Sequence, residues 1–433
     1  MGTTPAPANP LNSGDISWVL ASSALVLAMT APGLALFYGG MVRRKNVISM
    51  LMQCFMCLAI VSVLWVVYGY SLAFGPGHGI LAPFIGGLDW FMLKNVSMNF
   101  PEHWTTTPVF DPTTSYAPTI PNQAYMIFQC MFAVITPALV IGSFAERVKF
   151  SAWVWFTILW LTFAYCPVAH MVWSHDGIAG SKWGALDFAG GTVVHMNAGI
   201  AGLATALYLG KRLGTNKPGM HNVPFVMIGA SLLWFGWFGF NAGSAVAANG
   251  LATSAFIVTN TATAAAAISW ALCEWIFTGA PTLVGACSGA VAGLVAITPA
   301  SGFVDVGGSL WIGFLVSVFC YSMVAFVKPK LGYDDTLDAF GVHYIGGLWG
   351  ALATGLFAVK AVNAAGSGVF DGNPKQLLIQ AQACLLTTAY TFIVTWIICM
   401  VIDKTIGMRA SAEEETIGID LSQHHERAYT ILD

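Results

Sequence analysis

The sequence predicts an all-α membrane protein: eleven transmembrane helices, built as an inverted five-helix repeat (helices 1–5 and 6–10) plus an eleventh helix, with the N-terminus outside and the C-terminus cytoplasmic. Four observations carry that expectation. Of 433 residues, 57% are apolar and only 9% are charged, where a soluble domain carries about 25% charged residues. Charge-free runs such as Val47–Leu88 and Pro218–Cys273 each leave room for one or two bilayer crossings of about 20 residues. Basic residues gather in alternate links, and two histidine-centred stretches share one pattern.

The first apolar span, roughly 16–40, follows MGTTPAPANPLNSGD, which has no Lys or Arg. That start does not look like a signal-peptide n-region, so the span is expected to be retained. Arg43, Arg44 and Lys45 divide it from the second span, 47–74. The long connection 75–121, rich in Pro, Gly, Thr and Asn with single Lys94 and Glu102, reads as an exposed loop with short helices. Spans three and four, 122–145 and 151–173, are separated by Arg147 and Lys149. Lys182 precedes span five, 188–210, and Lys211, Arg212 and Lys217 follow it. Spans six to nine, 222–243, 250–277, 281–300 and 304–327, end at Lys328 and Lys330. Span ten, 339–359, leads past Lys360 and Lys375 into span eleven, 376–402, with Lys404 and Arg409 beyond. By the positive-inside rule the richer set of links is cytoplasmic, which puts the N-terminus outside and the tail, 403–433, inside.

Composition excludes little else. A formal net charge of −3 gives no reason to expect a nucleic-acid partner. All nine cysteines lie in apolar segments; Cys54 and Cys57 have C-x-x-C spacing but no second ligand pair, so they read as small buried hydrophobes. Many of the 46 glycines fall at small-x-x-x-small spacing, which lets helix backbones approach closely.

Against this background two histidines stand out. GGTVVHMNAGIAGL (190–203) holds His195, and FGVHYIGGLWGAL (340–352) holds His343. Both read V-H with glycine at the fourth and seventh following positions: Gly199 and Gly202, Gly347 and Gly350. The stretches belong to span five, which runs inward, and span ten, which runs outward, so they mark repeats of opposite topology, a transporter plan with function near the midplane. His195 lies eight residues past Asp187 and His343 five past Asp338, about 12 and 7.5 Å along a helix. An ionisable residue inside a span is costly and faces a cavity or a partner; the bland alternative is a neutral imidazole bonded to a carbonyl. Haem ligation would need further histidines at that depth, and a metal site three or four ligands where no carboxylate lies. Neither a cofactor nor a metal is expected, nor an enzyme activity. What remains is a narrow apolar pathway with two imidazoles, suited to a small polar solute.

ALDFAGGTVVHMNAGIAGL (185–203), FGWFGFNAGSA (235–245), GACSGAVAGLVAITPASG (285–302) and FGVHYIGGLWGAL (340–352) resemble the ammonium transporter (Amt) family, related to Rhesus proteins, across nearly the whole chain. The resemblance implies an ammonium transporter transmembrane domain over 1–402 and a cytoplasmic tail over 403–433. It also implies a homotrimer in the lipid bilayer of the cell membrane, the bacterial cytoplasmic membrane being expected, with one pore per subunit. Carried over by motif, an outer ammonium-binding site falls on Phe132 of FQCMF, Trp173 of AHMVW and Ser244 of NAGS. An aromatic face attracts a cation and a hydroxyl accepts its N–H. The pore gate corresponds to Phe132 and Phe240, the twin pore histidines to His195 and His343, and an aspartate near the outer mouth to Asp187 of LDFAGG. For Asp187 the main role expected is a cap at the start of span five, with an electrostatic assist to cations second. The tail ETIGIDLSQHHERAY (415–429) resembles the segment through which a nitrogen-regulatory PII protein blocks such pores.

Two other classes compete. A membrane sensor for ammonium predicts an appended signalling domain, and about thirty residues follow span eleven; a membrane redox enzyme predicts a visible absorption spectrum.

Overall fold

A backbone surrounded by lipid must satisfy its own hydrogen bonds, and each expected span does so as a helix. The computed structural model describes residues 10–102, 115–214 and 220–429; Lys217 lies outside the described residues. Among the described residues there is no strand, and nine helices are long and apolar enough to cross a membrane. These are α1 (Ser13–Met41), α2 (Arg44–Phe74), α3 (Asn122–Phe144), α4 (Phe150–Lys182), α5 (Gly191–Leu209), α6 (Val223–Gly243), α7 (Gly250–Thr278), α9 (Val306–Leu331) and α11 (Lys375–Ile406). Between them stand α8 (Leu283–Ile297), apolar but shorter, and α10, which runs from Phe340–Tyr344 into Ile345–Phe357. The protein is a multi-pass, all-helical membrane protein.

The polar links supply the caps. Asn12, Asn222, Asn249, Thr282 and Asp305 each accept a backbone N–H in the first turn of the helix that follows, at α1, α6, α7, α8 and α9. The long connection after α2 holds the short helical turns Gly79–Leu81 and Phe91–Leu93, as its composition predicts. All nine cysteines are buried and unpaired.

Position in the bundle follows from burial. The most apolar stretch of α3 is 94% buried, whereas those of α9 and α11 are 33% buried, so α3 runs through the centre and the other two face outward. At the centre α5 and α10 cross closely, and their glycines are the reason. A side chain at Gly199 would collide with the backbone of Tyr344, and one at Gly347 would meet Gly191 O at 2.9 Å and His195 Cβ at 3.1 Å. The second glycine of each motif repeats the relation one helix further out: Gly202 abuts Ser143 of α3, and Gly350 abuts Ala296 of α8. Helices three and eight are the positions that an inverted five-helix repeat equates.

Asp335 holds the same place before His343 that Asp187 holds before His195. Asp335 accepts from Ala339 N at 3.2 Å and Phe340 N at 2.8 Å, at the start of α10. It stands eight residues before His343, as Asp187 stands eight before His195, so both histidines are reached by the same climb from a buried cap.

At the end of the bundle rich in Lys and Arg, the charges are matched across links. Glu146 accepts from Arg43 Nε at 2.7 Å and Arg212 Nη1 at 3.1 Å, Asp334 accepts from Arg212 Nε at 2.9 Å, and Arg147 Nη2 donates to Asp334 O at 2.6 Å. The segment after α11 packs on that end as two short helices, α12 (Ala412–Ile417) and α13 (Ile419–His424). Arg409 Nε bonds Glu415 Oε1 at 2.7 Å, and Asp420 accepts from Ile48 N at 2.9 Å and Ser49 N at 2.7 Å.

Candidate functional site

At the end opposite the basic residues, a cavity of about 210 Å³ is lined by Phe132, Trp173 and Ser244 together with Tyr116, Tyr125, Gln129, Phe188 and Val246. The three residues singled out from sequence thus meet, although they come from α3, α4 and the turn after α6. Trp173 is held by its indole N–H, which donates to Asp187 O at 2.8 Å. The Ser244 hydroxyl donates to Phe240 O at 2.8 Å, so its oxygen lone pairs remain available to a donor in the cavity. Gln129 was not picked out from sequence. Its Nε2 donates to Tyr125 Oη at 3.0 Å, and its buried Oε1 has no partner among the described residues.

The floor of this cavity is aromatic. The rings of Phe132 and Phe240 lie 4.3 Å apart, centroid to centroid, both fully buried, and Trp173 stands edge-on to Phe132 at 5.8 Å. Beyond the phenylalanines come the two imidazoles. His195 is 6.0 Å from Phe240 and 5.5 Å from His343, the two imidazole planes within 13° of parallel.

The histidine pair differs from a hydrogen-bonded dyad: no hydrogen bond joins the rings. Among the described residues, neither ring nitrogen of His195, nor Nδ1 of His343, has a hydrogen-bond partner. His343 Nε2 approaches Tyr38 Oη at 3.5 Å, too long for a strong bond. The indole of Trp237 stacks on His195 at 5.3 Å and is anchored by Nε1–H donating to Thr298 Oγ1 at 2.8 Å. Both histidines sit in a single wide, π-type turn, Gly191–Met196 and Phe340–Tyr344. Such turns widen a helix locally and recur at functional sites.

Past His343 a second cavity of about 70 Å³ opens toward the basic end, lined by Tyr38, His343, Val342 and Asp338 among others. Cavity, phenylalanine pair, histidine pair and cavity therefore follow one another in a single column through the chain.

Asp187 stands beside this column. Its Oδ1 accepts from Gly190 N at 2.9 Å and Gly191 N at 2.6 Å. Its Oδ2 accepts from Thr192 N at 2.9 Å, Val193 N at 3.2 Å and the Thr192 hydroxyl. Gly190 takes φ +112° at the bend, a conformation that favours glycine. With five donors converging, the carboxylate is fully used as the cap of α5. Among the described residues, no three His, Cys, Asp or Glu side chains converge as a metal site would need.

Comparison with known proteins agrees with the resemblance seen in the sequence. A profile of the Ammonium Transporter Family matches residues 17–429. The chain is 48% identical over 420 residues to a protein of Bacillus subtilis (strain 168) named "Ammonium transporter", covering 97% of this chain and 99% of the relative. Its fold is similar to the crystal structure of Saccharomyces cerevisiae Mep2, with a TM-score of 0.85, 34% identity, and coverage of 95% of this chain and 90% of that one. It is also similar to the structure of a protein named "Sensor Amt Protein", with a TM-score of 0.83, 26% identity, and coverage of 95% and 98%.

Proposed function

Since the chain belongs to the ammonium transporter family, a family of transporters and not of enzymes, we propose that it carries ammonium across a membrane through the column that contains His195 and His343. The observation that carries this reading is the run of buried imidazole nitrogens without protein partners between two cavities. Buried polar groups without partners are costly, and a small solute rich in N–H is the kind of molecule that would satisfy them.

On this reading, ammonium is recruited in the outer cavity. There the faces of Trp173 and Phe132 attract the cation, and Ser244 and Gln129 accept its N–H groups. The charge does not travel further intact. An alkylammonium-type group sheds its proton at neutral pH for roughly 4 kcal/mol, whereas a bare charge in an apolar pore faces an idealised cost of tens of kcal/mol. Deprotonation therefore wins. Phe132 and Phe240 must part to admit ammonia, which then hydrogen-bonds to His195 and His343 in turn. The proton returns outside or moves separately along the imidazoles.

The finer architecture belongs to the same proposal. With α8 and α10 counted as crossings, the chain passes the membrane eleven times, and the alternation of basic links puts the N-terminus outside and residues 403–433 in the cytoplasm. Residues 1–402 form the transport domain, the subunits assemble as a homotrimer, and the membrane is that of the cell. A PII protein is the proposed cytoplasmic partner, on the resemblance of the tail.

The test is uptake and current in liposomes holding the purified protein, with ammonium, methylammonium and potassium supplied in turn. Ammonium flux well above protein-free liposomes, with potassium excluded, is expected. Ammonium binding without flux would replace the transporter with a sensor, the reading suggested by the name of one structural relative.

A further inference from the structure

The outer cavity has a carboxylate behind one of its walls. Tyr116 lines the cavity, and its backbone N–H donates to Glu102 Oε2 at 3.2 Å. The same oxygen lies 3.5 Å from His175 Nε2. Tyr116 is fixed on several sides: its ring stacks on Tyr125 at 5.3 Å and on the His175 imidazole at 3.9 Å, and its hydroxyl donates to Phe74 O at 3.0 Å. A neutral acceptor in place of Glu102 would hold Tyr116 N as well. Yet Glu102 is 5% exposed, and taking a carboxylate out of water is costly.

Neither segment that builds this corner carries a permanent cation. Between Lys94 and Arg147, and again between Lys149 and Lys182, the chain has no Lys or Arg. His175 is an imidazole, a group that need not be charged at neutral pH. Asp176 follows it and accepts from Gly77 N at 3.0 Å, which adds a second carboxylate to the corner. Burial first and the Glu102 carboxylate next push the Tyr116 phenol well above its ordinary value, and Asp176 adds to the shift. A potential that opposes a phenolate favours a cation in the same place. Gln129 Oε1 on the cavity wall, buried and without a partner among the described residues, suits the same guest. Asp187, by contrast, is engaged by five donors at its cap.

We propose that Glu102 strengthens the recruitment of ammonium without touching it, its charge holding the outer cavity at a negative potential from behind Tyr116. The inference rests on the transport reading above and adds a residue to its recruiting site. Phe132, Trp173 and Ser244 line the cavity and act at contact distance. Glu102 acts across the residue between it and the cation, where a low-dielectric wall screens charge poorly.

The test is the half-saturating ammonium concentration of the full-length protein, read as current in liposomes and as equilibrium binding of 15N-ammonium to the purified protein. Glu102→Gln keeps the shape and an acceptor for Tyr116 N but removes the charge. It should raise half-saturation about threefold or more, the effect of one charge at this range, and leave the maximal current unchanged. Glu102→Asp keeps the charge and should stay near wild type. His175→Lys, at a side chain 40% exposed, sets a fixed cation beside Glu102 and should weaken binding as Glu102→Gln does, whereas His175→Asn should not. Wild-type half-saturation in Glu102→Gln would overturn the proposal. So would equal losses in Glu102→Gln and Glu102→Asp, since the carboxylate would then only anchor the loop. If Glu102→Gln does not fold, His175→Lys decides, and wild-type binding there would overturn it too. Binding that follows this order of charge in a protein without current would defeat the transport reading and still support the role of Glu102.

Discussion

Removing the Asp187 carboxylate should cost far more than an ordinary helix cap. A solvent-exposed cap contributes about 0.5–2 kcal/mol, because water takes over the freed N–H groups. Asp187 is 8% exposed and accepts four backbone N–H groups and one hydroxyl. In Asp187→Ala the Thr192 hydroxyl can turn away, but the N–H groups of Gly190, Gly191, Thr192 and Val193 are fixed by the helix start. At about 1–3 kcal/mol for each buried unsatisfied group, less whatever water reaches the gap, the loss is about 4 kcal/mol or more. Asp187→Asn keeps one acceptor oxygen and turns an NH2 toward the remaining donors, so it should lose about half as much. Asp335 accepts only two backbone N–H groups, so Asp335→Ala should fall near 2 kcal/mol on the same scale. The assay is unfolding of each purified variant, followed by size-exclusion chromatography and helical circular dichroism, beside ammonium flux in liposomes. The order Asp187→Ala, then Asp187→Asn and Asp335→Ala, is the expected result. A stable, well-folded Asp187→Ala that has lost all flux would refute the cap argument and make the carboxylate a direct participant in cation handling.

The remaining predictions follow the column downward and end at the charged links. Trp173→Leu and Ser244→Ala should weaken the preference for ammonium over potassium without loss of folded protein, by an amount set by a cation–π contact of about 0.5–2 kcal/mol; unchanged selectivity in both would remove the outer cavity from the mechanism. His195→Asp should admit a bare cation and turn selective passage into potassium leak, and His343→Ala should lower ammonium flux, both read as liposome currents from folded protein; wild-type rates and selectivity in both would sink the pathway role. Burial alone would lift the Asp334 carboxyl, but the Arg212 guanidinium holds it below the ordinary carboxylate value. Its pKa falls on folding, so the stability it contributes is present above its unfolded value near 4 and lost as pH drops through the lower folded value. The unfolding midpoint should therefore fall on acidification below about pH 4, and Arg212→Met should flatten that fall; an unchanged acid limb in the variant counts against this pair.

Much of the helical architecture could be read from the sequence because lipid is an undemanding judge. A charge-free run has one way to satisfy its backbone there, so each expected span has a helix within a few residues of its bounds. The histidine motif was legible for a related reason: a histidine in an apolar span is conspicuous, and a repeat of its glycine spacing is improbable without a shared packing geometry. Asp335 was harder to single out, since it keeps the spacing of Asp187 but stands beside Asp334 and near Asp338. Gln129 and Trp237 were harder still. Nothing local distinguishes one amide in FQCMF or one of sixteen tryptophans; Gln129 bonds Tyr125 one turn away on its own helix but lines a cavity that only the fold creates, and Trp237 depends on Thr298, which reaches it only in the fold. The π-type turns are invisible for a different reason, because a span that is apolar on every face carries no periodicity from which a wide turn could be noticed. The docking of α12 and α13 rests on pairs such as Asn46 with Ile419 and Lys45 with Glu415, joined across almost the whole length of the chain.

The pairing of the histidines has a physical rationale in two matching stretches of chain. Each half of the chain climbs from a buried aspartate cap through one wide turn to an imidazole, and opposite directions of climb bring the two imidazoles together at 5.5 Å. A histidine that only packed helices would find a carbonyl, as His170 does with Ala73 O at 3.1 Å and Ala82 O at 2.8 Å. His195 finds none, and the fold could have supplied one, since backbone oxygens abound at a helix crossing. Three nitrogens left without partners weigh against stability by about 1–3 kcal/mol each, a sizeable fraction of the margin by which proteins stay folded. A guest that hydrogen-bonds along the column recovers that cost only while it is present. On the proposed reading, two such sites side by side would let the guest leave the first as it engages the second, so that neither becomes a trap, the condition conduction imposes on any binding site in a pore.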